Sequence, residues 1–166
     1  MSDNHFARPR AFDTIVYGGL AIGVLDILDA MTFYGIRNGL RPTRIFQSIA
    51  VGLLGRDSYS GGMKTVLLGG VLHFLIAFII ATVFYFASSI LPTLSQHAVI
   101  SGLVYGVVAY FVMNYVVLPL SAVGPRTTPM PWAVFLNGVI GHALLVGLPV
   151  ALIARLFGEG KRCTHE

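Results

Sequence analysis

The sequence predicts an all-α polytopic membrane protein: a four-transmembrane-helix bundle with one short interfacial amphipathic helix. Three observations carry that prediction. Charged residues are 11% of the 166 and apolar residues 55%, whereas a water-exposed domain needs about a quarter of its residues charged to cover its surface. No Asp, Glu, Lys or Arg occurs from Thr65 to Pro125, and a second charge-free stretch runs from Thr127 to Ala154. Uncharged apolar runs of this length, beyond ~20 residues, are what membrane-spanning helices require. Prolines then divide these runs into lengths that each fit one crossing.

Span one is expected over about 14–34, TIVYGGLAIGVLDILDAMTFY. The preceding MSDNHFARPRAFD offers no short apolar core with a small-residue cleavage site, so this span is expected to stay as a membrane helix. Span two covers about 65–91 and ends at Pro92, because the residue before a proline avoids helical geometry. Span three covers about 98–118, ahead of Pro119. Span four covers about 132–154, entered through PRTTPMPW and closed by Arg155. Backbone groups in lipid must bond internally, which leaves helices as the reading for all four. Trp132, Tyr34 and Tyr115 fall near span ends, where amphipathic rings favour the interface. Residues 1–13 and 157–166 read as polar tails, and 14–156 as a single transmembrane domain.

Between spans one and two, Ile45, Phe46, Ile49, Ala50, Leu53 and Leu54 share one half of a helix over about 42–55 at 100° per residue. Pro42 suits its first turn and Gly55 its end. A segment this short cannot cross a bilayer, so it is expected to lie in the interface plane, with a re-entrant segment as the alternative.

The two hairpins resemble each other. Gly19–Gly23 in GLAIGV can be laid over Gly102–Gly106 in GLVYGV, and Gly70-Val-Leu-His73 resembles Gly138-Val-Ile-Gly-His142. A duplicated two-helix hairpin is one reading, and chance similarity among Gly, Leu and Val is the other. Stripes of small residues, Gly19 with Gly23, Gly70 with Ala77, and Gly102 with Gly106, are expected to be helix-packing seams. Homodimerisation through one such seam is the alternative; for the chain as a whole, a non-transporting accessory or interaction subunit of a larger membrane complex is the alternative function.

The informative residues are those that are costly in hydrocarbon: Asp26, Asp29, His73, Asn114, Asn137 and His142. An aspartate near a helix centre costs about 2.5–3.5 kcal/mol on insertion scales, while each Leu or Ile returns only about 0.3–0.6. The acids of span one therefore require partners. Call face A the side on which span one begins and face B the side on which it ends. Asp26 and His73 both lie about 12 Å from face B by helix rise, and Asn114, Asn137 and His142 fall in that same half. Helical phase gathers Asp26, Asp29, His73 and His142, with Asn114 a weaker member. Asn137, 140° from His142, is set aside. A direct Asp26–His73 pair, or one bridged by a water, is the expectation.

Three readings of this polar centre stay open. The residues bond neighbouring helices and have a packing role. They form a proton- or cation-responsive or translocating site, the default for ionisable groups inside a membrane. Or His73, His142 and Asp26 hold a divalent metal, or the imidazoles a haem; otherwise no cofactor is expected. The glycine pairs at 18–19, 61–62 and 69–70 fit neither a phosphate loop nor a dinucleotide fingerprint, and no Ser or Thr sits beside a His in a nucleophile motif, so an enzyme is not expected. One cysteine, Cys163, excludes an intramolecular disulfide. The net charge of +4 sits in tails and one loop, which reads as contact with the lipid bilayer and not with nucleic acid.

From His73 through LPTLSQHAVISGLVYG to LPLSAVG, PMPW and Gly141–His142, the second half resembles the YagU-like bacterial inner-membrane proteins. Those are similar in having a membrane histidine before a phenylalanine-rich stretch, a glycine-rich third span, a Pro-Trp ahead of the last span and a Gly-His within it. On that resemblance His73 and His142 match the family's histidines, whereas Asp26, Asp29 and residues 42–56 have no counterpart. It implies a bacterial inner membrane. Cations near the span ends are Arg8, Arg10, Arg155, Lys161 and Arg162 on face A, against Arg37, Arg41, Arg44, Arg56, Lys64 and Arg126 on face B. If the interfacial helix holds part of the second set at headgroups, both termini are cytoplasmic.

Overall fold

Helix α1 (Ala11–Asn38) opens a computed structural model that describes residues 10–159. Arg8, Lys161, Arg162 and Cys163, and with them most of both polar tails, lie outside the described residues. Helix α1 stops at Gly39, whose φ of 62° lets its N–H reach the Gly35 carbonyl while Leu40 bonds back to Tyr34. This left-handed closure is available to glycine without a Cβ clash. Helix α2 (Pro42–Leu54) begins on its proline and runs into a 3₁₀ turn over Gly55–Ser60. Helix α3 (Gly62–Ile90) ends ahead of Pro92. A single turn, α4 (Thr93–Gln96), leads to α5 (Ala98–Leu120), and α6 (Trp132–Gly158) completes the chain. The described residues contain no strand.

Helices α1, α3, α5 and α6 are the four long, apolar helices able to cross a membrane. They start and end within four residues of the spans expected from the sequence, and α2 lies within one residue of its expected bounds. Their outward faces carry apolar residues at i, i+4 spacing: Leu20, Val24 and Leu28 on α1, Leu67, Val71, Leu75, Ile79 and Val83 on α3, Leu136, Ile140 and Leu144 on α6, all exposed. Apolar surface that surrounds a bundle in this way suits lipid and not water. The chain is a multi-pass membrane protein.

The helices alternate in direction. Helix α1 packs between α3 and α6, and α6 packs against α5. Glycines set the approach. Gly19 and Gly23 receive the rings of Phe78 and Phe74 from α3, while Gly102 and Gly106 lie directly on the α6 backbone at Gly147 and His142, where any Cβ would overlap a carbonyl. Equivalent positions of the two hairpins thus face each other: Gly23 meets His73, and Gly106 meets His142. Gly70 lies beside the ring of Phe46 with room to spare, whereas Gly69 is pressed against the Phe46 backbone where α2 crosses α3. Helices α3 and α5 meet toward face A, through Tyr105, which donates to the Ile80 carbonyl at 2.6 Å and packs edge-on to Phe84.

The apolar core fills the face-A half, around Ile22, Ala77, Ala81, Phe84, Val146 and Val150. Toward face B the filling changes. Helix α2 buries Ile45, Gln47, Ala50 and Val51 and leaves Leu53 and Leu54 exposed. Gln47 is buried because its amide spans to the Gly62 carbonyl and Thr65. The α5–α6 loop is tied to α2 through Ala122 N–H and the Gly52 carbonyl, 3.0 Å apart.

Two helices are irregular, for one reason. Pro119 and Pro149 each lack the N–H that would bond back to Tyr115 and Leu145, and each ring crowds that carbonyl. The chain widens ahead of them: π turns occupy Met113–Val117 in α5 and His142–Gly147 in α6. Such turns often occur at functional positions.

Candidate functional site

The polar residues that α1 carries are met by α6. Asn137 Nδ2 donates to Asp29 Oδ2 at 2.8 Å. One turn deeper, His142 Nδ1 lies 3.9 Å from Asp26 Oδ1, an ion-pair distance outside hydrogen-bond reach. Both partners of this deeper pair are mostly covered, the side chains of His142 and Asp26 being 19% and 29% exposed. Gly141 makes the approach possible, since a Cβ there would stand 3.1 Å from the Asp29 carboxylate.

Helix α5 supplies the wall. Tyr110 is 2% exposed, its ring edge-on to His142 with centroids 5.4 Å apart. Its hydroxyl donates to the Met130 sulfur at 3.1 Å, and its ring rests on Gly138. From Tyr110 an aromatic chain runs outward: Tyr110 to Phe135 at 5.9 Å and Phe135 to Trp132 at 5.3 Å. Nearer face B, Asn114 donates to the Tyr110 carbonyl at 3.1 Å and accepts from Arg126 at 3.5 Å.

The site is therefore layered. Asn114 and Arg126 form a rim, Asp29 with Asn137 the next level, and Asp26 with His142 the floor. Beneath the floor, Ile22 and Val146 belong to the apolar core.

His73 occupies a different place from the one depth alone suggests. Its Nε2 lies 2.8 Å from the Gly23 carbonyl, and it is 9% exposed in the α1–α3 seam. No direct hydrogen bond or ion pair joins it to Asp26. Gly23 lies one turn before Asp26, without a side chain to hold the ring away from the backbone, so the imidazole satisfies itself on the carbonyl. Asp26 instead finds His142. Among the described residues no three His, Cys, Asp or Glu side chains converge as a metal site, so His73, His142 and Asp26 are not one ligand set.

Asn137, Tyr110 and Arg126 join the site although the sequence did not single them out for it. For Asn137 a signal existed: it lies four residues before Gly141, the glycine that faces Asp29, and i, i+4 residues share a helix face. Arg126 reaches the rim from a loop, where no periodicity could place it. Comparison with family models, curated proteins and solved structures finds no match to this chain.

Proposed function

We propose that this chain is a small proton-responsive protein of a bacterial inner membrane, with the Asp26–His142 pair as its responsive centre. The observation that carries the reading is the 3.9 Å approach of imidazole to carboxylate, one turn beneath the Asp29–Asn137 hydrogen bond. Imidazole is the side chain whose ordinary charge change falls between pH 5 and 8, and ionisable groups inside a membrane are costly enough that a functional role is the default reading. The π turn that begins at His142 places the imidazole on the least regular part of α6. The apolar core packed beneath the pair favours a response to protons over open conduction. Catalysis has no part in the reading. The likeness to YagU-like proteins supports the bacterial inner membrane, and both termini are assigned to the cytoplasm; a membrane-impermeant thiol reagent that labels Cys163 only from outside would reverse that orientation.

The aromatic chain from His142 to Trp132 provides the test. Trp132 is the single tryptophan, so its emission in nanodiscs should change between pH 5 and 8 in the wild type. His142→Gln should abolish the change, and His97→Gln, on an exposed residue at the start of α5, should leave it intact. Emission that is independent of pH in the wild type, or a change that survives His142→Gln, would overturn the reading and leave these residues a packing role in an accessory protein.

A further inference from the structure

On the side of α3 turned away from α5 and α6, an open groove of about 590 Å³ runs beside α2. Phe46 of α2 forms one wall, and residues of α3 that include Leu67, Val71, Phe74, Leu75 and Phe78 form the other. Its lining is almost wholly apolar. Gly70 opens it, because a Cβ there would only just touch the Phe46 ring, at 3.8 Å. Phe74 and Phe78 are held in place by Gly23 and Gly19 behind them.

Two features say what fits. From Leu67 to Phe78 the groove extends about 16 Å along the helix axis, close to half of the ~30 Å hydrocarbon thickness and so to the depth of one leaflet. And the stripe Leu67, Val71, Leu75, Phe78 continues toward face B to Lys64, since residues three and four apart share a helix face. Lys64 is exposed, and among the described residues it makes no ion pair or hydrogen bond. A cation stands at headgroup level above an apolar channel one leaflet deep.

The geometry points to a binding site for one anionic phospholipid of the face-B leaflet, with an acyl chain in the Phe46–Phe78 groove and its phosphate at Lys64. The site is separate from Asp26 and His142 and stands or falls independently of proton response.

Native mass spectrometry of the full chain, released from detergent in the presence of phosphatidylglycerol or phosphatidylcholine with identical acyl chains, tests it. The wild type should retain one lipid and favour phosphatidylglycerol about fivefold, the weight of one cation near an anionic headgroup. Lys64→Gln should bring that ratio to unity and keep a bound lipid. Gly70→Phe should lose the lipid, and Leu67→Trp should do the same should Gly70→Phe fail to fold; Gly70→Ala should retain it. Equal retention of the two lipids by the wild type, or a preference that survives Lys64→Gln, overturns the headgroup assignment. Retention by both groove-filling variants overturns the groove. A dimer that separates in Leu67→Trp would place a second copy of this chain there in the lipid's stead.

Discussion

Removing the Asn137 amide should weaken the bundle by an amount that the geometry bounds. Its Nδ2 reaches Asp29 at 2.8 Å, a short contact to an acid. A hydrogen bond to a charged group contributes about 1.5–3 kcal/mol in water-soluble proteins. Between membrane helices, however, double-mutant cycles average about 0.6 kcal/mol with a maximum near 1.7, because the separated helices also find partners. Asp29 and Asn137 are both only half-buried, which places the pair toward the lower figure. Asn137→Ala should therefore cost about 1 kcal/mol, and the coupling between Asp29→Ala and Asn137→Ala should lie near 0.6–1.7 kcal/mol. The assay is reversible unfolding in mixed detergent micelles, followed by circular dichroism for both single variants, the double variant and the wild type. The α1–α6 assignment is refuted by a coupling within error of zero, because two residues that do not touch should add independently.

Two further outcomes follow from the seams. Gly106→Ala should destabilise by about 1–3 kcal/mol, the range for overpacking, because the new methyl would overlap the His142 carbonyl across the α5–α6 contact; Gly70→Ala, in open space beside Phe46, should change the same unfolding midpoint little. His73→Leu should cost about 1 kcal/mol by losing the bond to the Gly23 carbonyl while leaving the pH-dependent Trp132 emission in place; loss of that signal in a folded His73→Leu protein would bring His73 into the responsive centre.

Much of the architecture is legible because hydrocarbon is a severe solvent. Charge-free runs and their prolines place α1, α3, α5 and α6, since nothing but a helix satisfies the backbone there. Helix α2 is legible from Pro42, Gly55 and one apolar half-face, although that pattern does not reveal Gln47, buried through bonds that exist only once α2 lies against Gly62 and Thr65. Depth brings Asp26, Asp29 and His142 to one half of the membrane. Partner choice is harder to read. An imidazole can take a backbone carbonyl as readily as a carboxylate, and backbone acceptors are invisible to residue patterns, so His73 goes to Gly23. Phase arithmetic at 100° per residue also separates Asn137 from His142 by 140°, yet side chains reaching from either flank of Gly141 meet two acids that are themselves 60° apart. The contribution of Arg126 depends on the path of a loop and is written nowhere in its neighbours.

The wide turn at His142–Gly147 has a consequence for how such a helix changes over generations. A π turn holds one residue more than an α-helix would, equivalent to an insertion that rotates one flank by about 100° relative to the other. In α6 the flank carrying Asn137 and Gly141 is thereby set independently of the flank carrying Val150 and Ala154. Substitutions that tune the polar end need not disturb the register of the apolar end, and the reverse holds. One extra residue ahead of Pro149 divides a single rod into two segments, one presenting the polar residues and the other holding the bundle together.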